Sequence, residues 1–345
     1  MPCRLNRVVV FGLLALGLAL FLAAPARAEC VAKPGSIFFI TDREPLTDNQ
    51  LFSGEWGTDS KHNAIITTGV ITGPPEKANE TRCSSRAALV KAIASQFVPK
   101  RPRQLLVYVH GYYTTFVTAV ETAQALQKGL HFPGPVIIYS WPSRKTSVLA
   151  YGTDEANAAW SMPHFRSFLG AITKAYPGMP VSLAGYSLGS RFVTEGIAFF
   201  RKEGCNNCFG RAVLFAPDVF TADLRSALTS SNLCSGPPIA NPVASAPVLL
   251  YVSNNDRALR QSEKYHSNQR AGQAGGDMIL CSGVDTVDVS YLKAGGSSGH
   301  GYITDPRVLK DAAAGFAGVP PTAPSRGLKQ AQRTGGVYYE LLPAP

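Results

Sequence analysis

The chain reads as an α/β protein with a mainly parallel sheet and helices on both faces. Short β-rich apolar runs alternate with stretches of helical periodicity along most of its 345 residues. One run, Leu105–Val109, has the composition of a strand buried on both faces. No internal repeat and no long linker divides the chain.

The elements follow in order. Ser36–Thr41 and Ala64–Thr72 read as two opening strands, which an antiparallel arrangement would suit. Ser84–Phe97 has the spacing of a short amphipathic helix. Leu105–Val109 ends in His110-Gly111, and Phe116, Val120, Ala123, Leu126 and Leu130 then recur at helical intervals. Val136–Ser140 is the next strand, closed by Trp141-Pro142. Residues from about Asp154 to Tyr176 are helical, with Pro163 as a point where the helix can break. Val181–Ala184 is a strand that runs into Gly185-Tyr186-Ser187-Leu188-Gly189, and a helix follows to about Lys202. Ala212–Phe215 and Val248–Val252 are strands ending at Ala216-Pro217-Asp218 and Asn254-Asn255-Asp256. Thr286–Leu292 alternates like a last strand. Asp305-Pro306 opens a helix, with aspartate as cap and proline in the first turn. From Gly318 the chain is rich in Pro and Gly and is expected to loop over the surface.

The N-terminus has the layout of a secretory signal peptide. Arg4 and Arg7 precede a 17-residue apolar run, Val8 to Ala24, and the small-x-small site Ala26-Arg27-Ala28. Cleavage after Ala28 leaves residues 29–345 as one domain with a Pro/Gly-rich tail, expected in the periplasm or outside the cell. The alternative is an uncleaved anchor, for which the run is slightly short. Lipid attachment at Cys30 lacks the small residue usually found just before such a cysteine. No later stretch is long and apolar enough for a stable membrane span. Losing Arg4, Arg7 and Arg27 lowers the formal charge from +10 to +7. The remaining basic residues are scattered, with one short cluster at Lys100-Arg101-Arg103. That pattern speaks against nucleic acid as a partner and supports at most weak attraction to acidic surfaces.

Six cysteines follow the cleavage site, an even number suited to disulfides in an exported chain. Six cysteines allow 15 pairings. Local closure would join Cys30 to Cys83, Cys205 to Cys208 and Cys234 to Cys281. Cys205-Asn206-Asn207-Cys208 has redox or zinc-like spacing, but it lacks a second such pair and a nearby histidine, so a bridge is the preferred reading.

Gly185-Tyr186-Ser187-Leu188-Gly189, between a strand and a helix, carries the main chemical signal. A nucleophilic serine needs a sharp turn that lifts its hydroxyl above the sheet, and flanking glycines permit that bend and a close approach of strand and helix. The same turn aims the Leu188 N–H at the point where negative charge develops. His110-Gly111-Tyr112 can supply a second backbone donor, from Tyr112, with His110 holding the loop by a hydrogen bond. An ordinary glycine turn is the plainer reading of that loop. Only His266 and His300 follow Ser187, and in sheets bearing this turn the acid and then the base come after the nucleophile. His300, in the loop Ser297-Ser298-Gly299-His300-Gly301 beyond the last expected strand, is preferred as base; His266 reads as a surface or loop histidine. Asp256 is preferred as acid over Asp218, which remains a fallback or a loop cap. Asp154 precedes the nucleophile and suits a helix cap or a pocket hydrogen bond.

These residues resemble a bacterial α/β-hydrolase family grouped with esterase/lipase-superfamily proteins whose physiological substrates are undefined. The resemblance runs from about Ser36 to the tail. It rests on FFITDRE (Phe38–Glu44), VYVHGYYTTF (Val107–Phe116), YSWPS (Tyr139–Ser143), Tyr151-Gly152-Thr153-Asp154, AGYSLGS (Ala184–Ser190), Ala216-Pro217-Asp218, YVSNNDRAL (Tyr251–Leu259) and SGHGY (Ser298–Tyr302). It implies an α/β-hydrolase fold with Ser187, Asp256 and His300 in the triad positions. Tyr186 and Leu188 stand where the family usually has His and Met, and Tyr113 where it usually has Asn. Those departures touch the pocket rather than a catalytic atom.

The expected chemistry is acyl transfer from a small-molecule or lipid ester to water, without metal or organic cofactor. A non-catalytic envelope binding protein on the same fold and an acyltransferase are the alternatives.

Overall fold

The computed structural model describes residues 30–46, 52–61, 63–74, 77–144, 150–205, 208–292 and 296–343. The expected signal peptide, residues 1–28, lies outside them.

The chain opens with β1 (Ile37–Thr41), a small hairpin of β2 (Arg43–Pro45) and β3 (Phe52–Trp56), then β4 (Thr67–Thr72), β5 (Asn79–Arg82) and α1 (Arg86–Ala94). Next come β6 (Leu105–Val109), α2 (Phe116–Gly129), β7 (Val136–Ser140), α3 (Tyr151–Ala175), β8 (Val181–Tyr186) and α4 (Ser190–Lys202). The second half holds β9 (Phe209–Phe215), α5 (Thr221–Ser230), β10 (Val248–Val252), α6 (Arg257–His266), β11 (Val284–Asp288), α7 (Pro306–Phe316), β12 (Leu328–Arg333) and β13 (Gly336–Leu341).

Among the described residues eleven strands form one sheet in the order β12-β13-β11-β10-β9-β8-β6-β7-β1-β4-β5. From β1 through β7, β6, β8, β9, β10 and β11 to β13 every neighbour is parallel. Strands β4 and β5 at one end and β12 at the other add antiparallel pairs. The inner strands β1, β6, β7 and β10 are buried at every position, because helices cover both faces. One core holds Leu89, Phe165, Phe192 and Leu224 of α1, α3, α4 and α5; the other holds Phe116, Leu259 and Val308 of α2, α6 and α7.

This layout positions the site. From β6 the chain leaves through α2 on one face to β7; from β8 it leaves through α4 on the other face to β9. Adjacent parallel strands whose connections diverge to opposite faces open a crevice at their carboxyl ends, where ligands of open α/β sheets bind. His110-Gly111 and Ser187 stand on its two lips.

Strands β6, β7 and β10 coincide with their expected limits, and Asp305 caps α7 with Pro306 in the first turn. Four expectations need correction. The tail does not simply loop over the surface: β12 and β13 extend the sheet, so Thr286–Leu292 is not the last strand, and the strand there is Val284–Asp288. Fully buried Arg326 ties the tail down, donating to Asp311 at 2.7 Å and Asp285 at 3.1 Å. Pro163 lies inside an uninterrupted α3. Its cost, about 3 kcal/mol in a helix interior, is opposed by burial of Phe165, Phe168, Leu169 and Ile172 just beyond it. Asp154 is not the cap of α3, which is Ala150; it lies buried in the first turn. The β2–β3 hairpin and the helices α5 and α6 went unread in the sequence.

The three local cysteine pairs are the ones formed, with Cα–Cα distances of 4.8 Å for Cys30–Cys83, 5.3 Å for Cys205–Cys208 and 5.3 Å for Cys234–Cys281. Among the described residues no helix is long and apolar enough to cross a membrane.

Candidate active site

Ser187 follows β8 directly, and its backbone takes the left-handed region with φ 52°. A non-glycine residue held there stores on the order of 1–2 kcal/mol, which the surroundings must supply. Gly189, in the turn that leads into α4, makes the approach possible. A Cβ on it would lie 2.3 Å from the Val109 carbonyl oxygen and 2.4 Å from that of His110, both backbone atoms. The helix that begins at the elbow is thereby pressed against the end of β6. On the other side the Ser187 carbonyl accepts the Asp218 N–H at 3.1 Å.

The loop after β6 lies against the serine. A Cβ on Gly111 would stand 2.8 Å from Ser187 Cβ and 3.1 Å from Tyr186 Cδ1. Behind this loop is a buried polar scaffold. Arg43, almost wholly enclosed, donates from Nη2 to the Thr114 carbonyl at 2.8 Å, from Nη1 to those of Ser53 and Ser143 at 3.0 and 3.2 Å, and from Nε to Ser140 Oγ at 2.9 Å. Burial pushes its pKa down to about 9, with Asp42 and Asp154 acting against that, so it stays cationic at neutral pH. Arg43 Nη2 also lies 3.1 Å from His110 Nε2, which therefore accepts, leaving Nδ1–H to donate to the Gly111 carbonyl at 2.8 Å. Burial and then the Arg43 charge hold His110 far below the ordinary histidine range. His110 thus fastens the loop, as its sequence position suggests. Asp154 completes the scaffold, accepting from Ser143 Oγ at 2.6 Å, Arg144 N at 3.0 Å and the Tyr113 backbone. That settles Asp154 as a hydrogen-bonding residue beneath the site.

Asp256 and His300 meet, although 44 residues separate them. Asp256 is fully buried at the end of β10 and caps α6: its Oδ1 accepts the Leu259 N–H at 2.9 Å. Its Oδ2 lies 2.6 Å from His300 Nδ1. A carboxylate only accepts, so Nδ1–H donates, and in the neutral ring the lone pair is then on Nε2. The His300 ring lies against Tyr186, the residue before Ser187, at 5.1 Å between centroids. The Tyr186 hydroxyl donates to the His300 carbonyl at 3.4 Å.

The competing residues are engaged elsewhere. Asp218 Oδ1 accepts from Arg270 Nε and Ser262 Oγ, each at 2.6 Å, and Oδ2 from the Tyr151 hydroxyl at 2.5 Å. Burial raises the Asp218 pKa, but Arg270 and the two hydroxyl donors outweigh it and keep the carboxyl below its usual range. His266 is neither on a loop nor freely exposed. It ends α6, with Nε2 2.8 Å from Glu155 and Nδ1 2.8 Å from the Ser262 carbonyl. Arg191 pairs with the same Glu155. Tyr112 packs edge-on against Tyr151 at 5.3 Å, which joins the loop after β6 to this network. Leu188 is buried beneath the elbow.

Arg43 and Tyr151 stand in stretches that carry the family resemblance, but no role for either was readable there, and Glu155 was not singled out.

A parallel sheet with a strained serine at its switch point defines an α/β-hydrolase. The chain belongs to the family described as alpha/beta hydrolase of unknown function (DUF900), whose model matches residues 85–314. Among solved structures it is similar to a protein from Thermoplasma acidophilum described as a predicted CIB-like hydrolase, at 17% identity over 63% of this chain and 87% of that one, with TM-score 0.36. It is also similar to EstE1, a thermostable carboxylesterase cloned from a metagenomic library, at 17% identity over 63% of this chain and 81% of that one, with TM-score 0.34. An acetylxylan esterase is similar at 11% identity over 63% of this chain and 97% of that one, with TM-score 0.37. No curated protein matches the chain.

Proposed function

We propose that the protein is an exported serine hydrolase that cleaves carboxylic esters through Ser187, His300 and Asp256. The observation that carries this reading is the His300 Nδ1–Asp256 bond of 2.6 Å, with the imidazole packed against Tyr186, the residue before a serine held at φ 52°. Nε2 of His300 takes the hydroxyl proton of Ser187 as Oγ attacks the ester carbonyl carbon. The carbonyl π electrons move to oxygen, and the backbone N–H groups of Leu188 and Tyr112 stabilise that oxyanion; losing one such donor typically costs about 3 kcal/mol. The tetrahedral species collapses, the C–O bond breaks, and the imidazolium gives its proton to the leaving alcohol. Water then attacks the acyl-enzyme by the same route and releases the acid and free Ser187. Asp256 orients the imidazole and offsets its charge. Export rests on the N-terminal 28 residues and the three cysteine pairs.

The test is hydrolysis of p-nitrophenyl esters of increasing acyl length by the purified protein and Ser187→Ala. We expect the variant to lose activity by on the order of 10⁴-fold or more, and a fluorophosphonate probe to label only the parent. Equal rates in the two proteins would refute the hydrolase reading. Inactivity with intact Ser187 unlabelled would favour a binding protein.

A further inference from the structure

We propose that Tyr186 is a positioning residue that sets the plane of the His300 imidazole and stabilises its cationic form with the face of its ring. The inference rests on the triad reading above. Asp256 orients His300 from the Nδ1 edge alone, through one hydrogen bond. Tyr186 adds a second restraint, on the plane of the ring. Its ring lies 5.1 Å from the imidazole centroid at an interplanar angle of 38°, and its hydroxyl meets the His300 carbonyl at 3.4 Å. Gly111 also comes close to the ring: a Cβ there would be 3.1 Å from Tyr186 Cδ1. One peptide bond separates this ring from Ser187. The base is therefore aligned on the residue that precedes the nucleophile.

The electrostatic part follows from the same contact. An aromatic face within about 6 Å attracts a cation, most strongly where water is excluded. In the proposed mechanism His300 gains its charge as the serine attacks and loses it when the leaving group departs, so the attraction is stronger in the transition state than in the ground state. The contacts of His300 come from three places. Asp256 lies beyond the end of β10, Tyr186 ends β8, and Ser298, whose hydroxyl accepts the His300 N–H at 3.3 Å, is in its own loop; Tyr302 lies near Asp256 and Tyr186. Burial, then the Asp256 charge, keeps the Tyr186 phenol neutral well past its ordinary range. Tyr302 is buried with its hydroxyl given to the Tyr251 carbonyl at 3.1 Å. Asp256 is thus the bonded counter-charge, and Tyr186 contributes a ring face without charge.

The experiment compares the full chain with Tyr186→Phe and Tyr186→Leu. Phenylalanine keeps the ring; leucine keeps apolar cover but removes the π face. We expect Tyr186→Phe to stay within about threefold of the parent. Tyr186→Leu should lose on the order of tenfold or more in kcat with little change in KM, and its acid limb of kcat/KM should move down by ~0.5–1 pH unit. A Leu variant with unchanged kcat and limb overturns the proposal, as does a Phe variant that behaves like Leu. Tyr186→Met replaces Tyr186→Leu should the latter not fold, with the same shift expected. NMR titration of the His300 imidazole in a Ser187→Ala background, with and without Tyr186→Leu, needs no turnover. A downward shift there supports the ring's role even if no ester is cleaved, and an unmoved titration overturns it whatever the protein hydrolyses.

Discussion

Ser187 pays a conformational penalty for its position, since a side chain at φ 52° is strained whatever its chemistry. Glycine takes that region without cost. Ser187→Gly should therefore melt about 2 °C higher than Ser187→Ala, reflecting roughly 1 kcal/mol of relieved strain in a domain of this size, with both variants inactive. A glycine variant that melts lower than the alanine variant would show that the turn is held without strain. The motif was readable at this scale, because glycines around a serine between a strand and a helix have a local steric meaning. Arg43 was not. Its backbone and side-chain partners at Ser53, His110, Thr114, Ser140 and Ser143 come from three separate stretches of chain, and no spacing in the sequence announces them.

Among the elements, α6 shows how a helix and a site share one residue. Asp256 caps the helix through Oδ1 and holds His300 through Oδ2. The two roles separate by substitution. Asp256→Asn retains an oxygen for the Leu259 N–H, so it should stay within about 0.5 kcal/mol of the parent in urea denaturation while losing activity by on the order of 10³–10⁴-fold. Asp256→Ala should lose the activity and, in addition, ~1 kcal/mol or more of stability from the missing cap. Equal stability in the two variants would show that the cap contributes nothing. Helix α6 escaped sequence reading because it buries little, only Leu259 and Ser262, and Arg257, Arg260, Glu263 and Lys264 leave no apolar stripe. Strands β6, β7 and β10 were legible for the opposite reason: burial on both faces demands an unbroken apolar run.

At the level of the molecule, the buried scaffold behind the loop after β6 couples folding to pH. His110 is neutral in the fold, its pKa lowered by burial and then by Arg43, whereas in the unfolded chain it titrates near the ordinary value. Its stabilising contribution is complete above about pH 6.5 and is lost as pH falls, because the unfolded state then binds a proton that the native state refuses. Stability should decline by ~1.4 kcal/mol per pH unit below that point from this group. The difference in urea stability between the parent and His110→Gln should accordingly shrink between pH 7.5 and pH 5. A constant difference would mean that His110 is protonated in the native state. Asp218, held low chiefly by Arg270 against its burial, acts in a separate window, its contribution lost only as pH falls below about 4.

The linear order of residues was enough for the fold class, the inner strands and the serine turn, and for singling out Asp256 and His300, which the fold brings within 2.6 Å of each other, because each has a signature in local composition or in chain order. The tail's place in the sheet, the saturation of Asp218, the fate of His266 and the contact of Tyr186 with His300 were decided only when the chain closed on itself. Arg326 draws β12 and β13 into the sheet through Asp285 and Asp311, 41 and 15 residues away. Such bonds form between groups that no sequence spacing relates, and burial makes them obligatory once the polar atoms leave water.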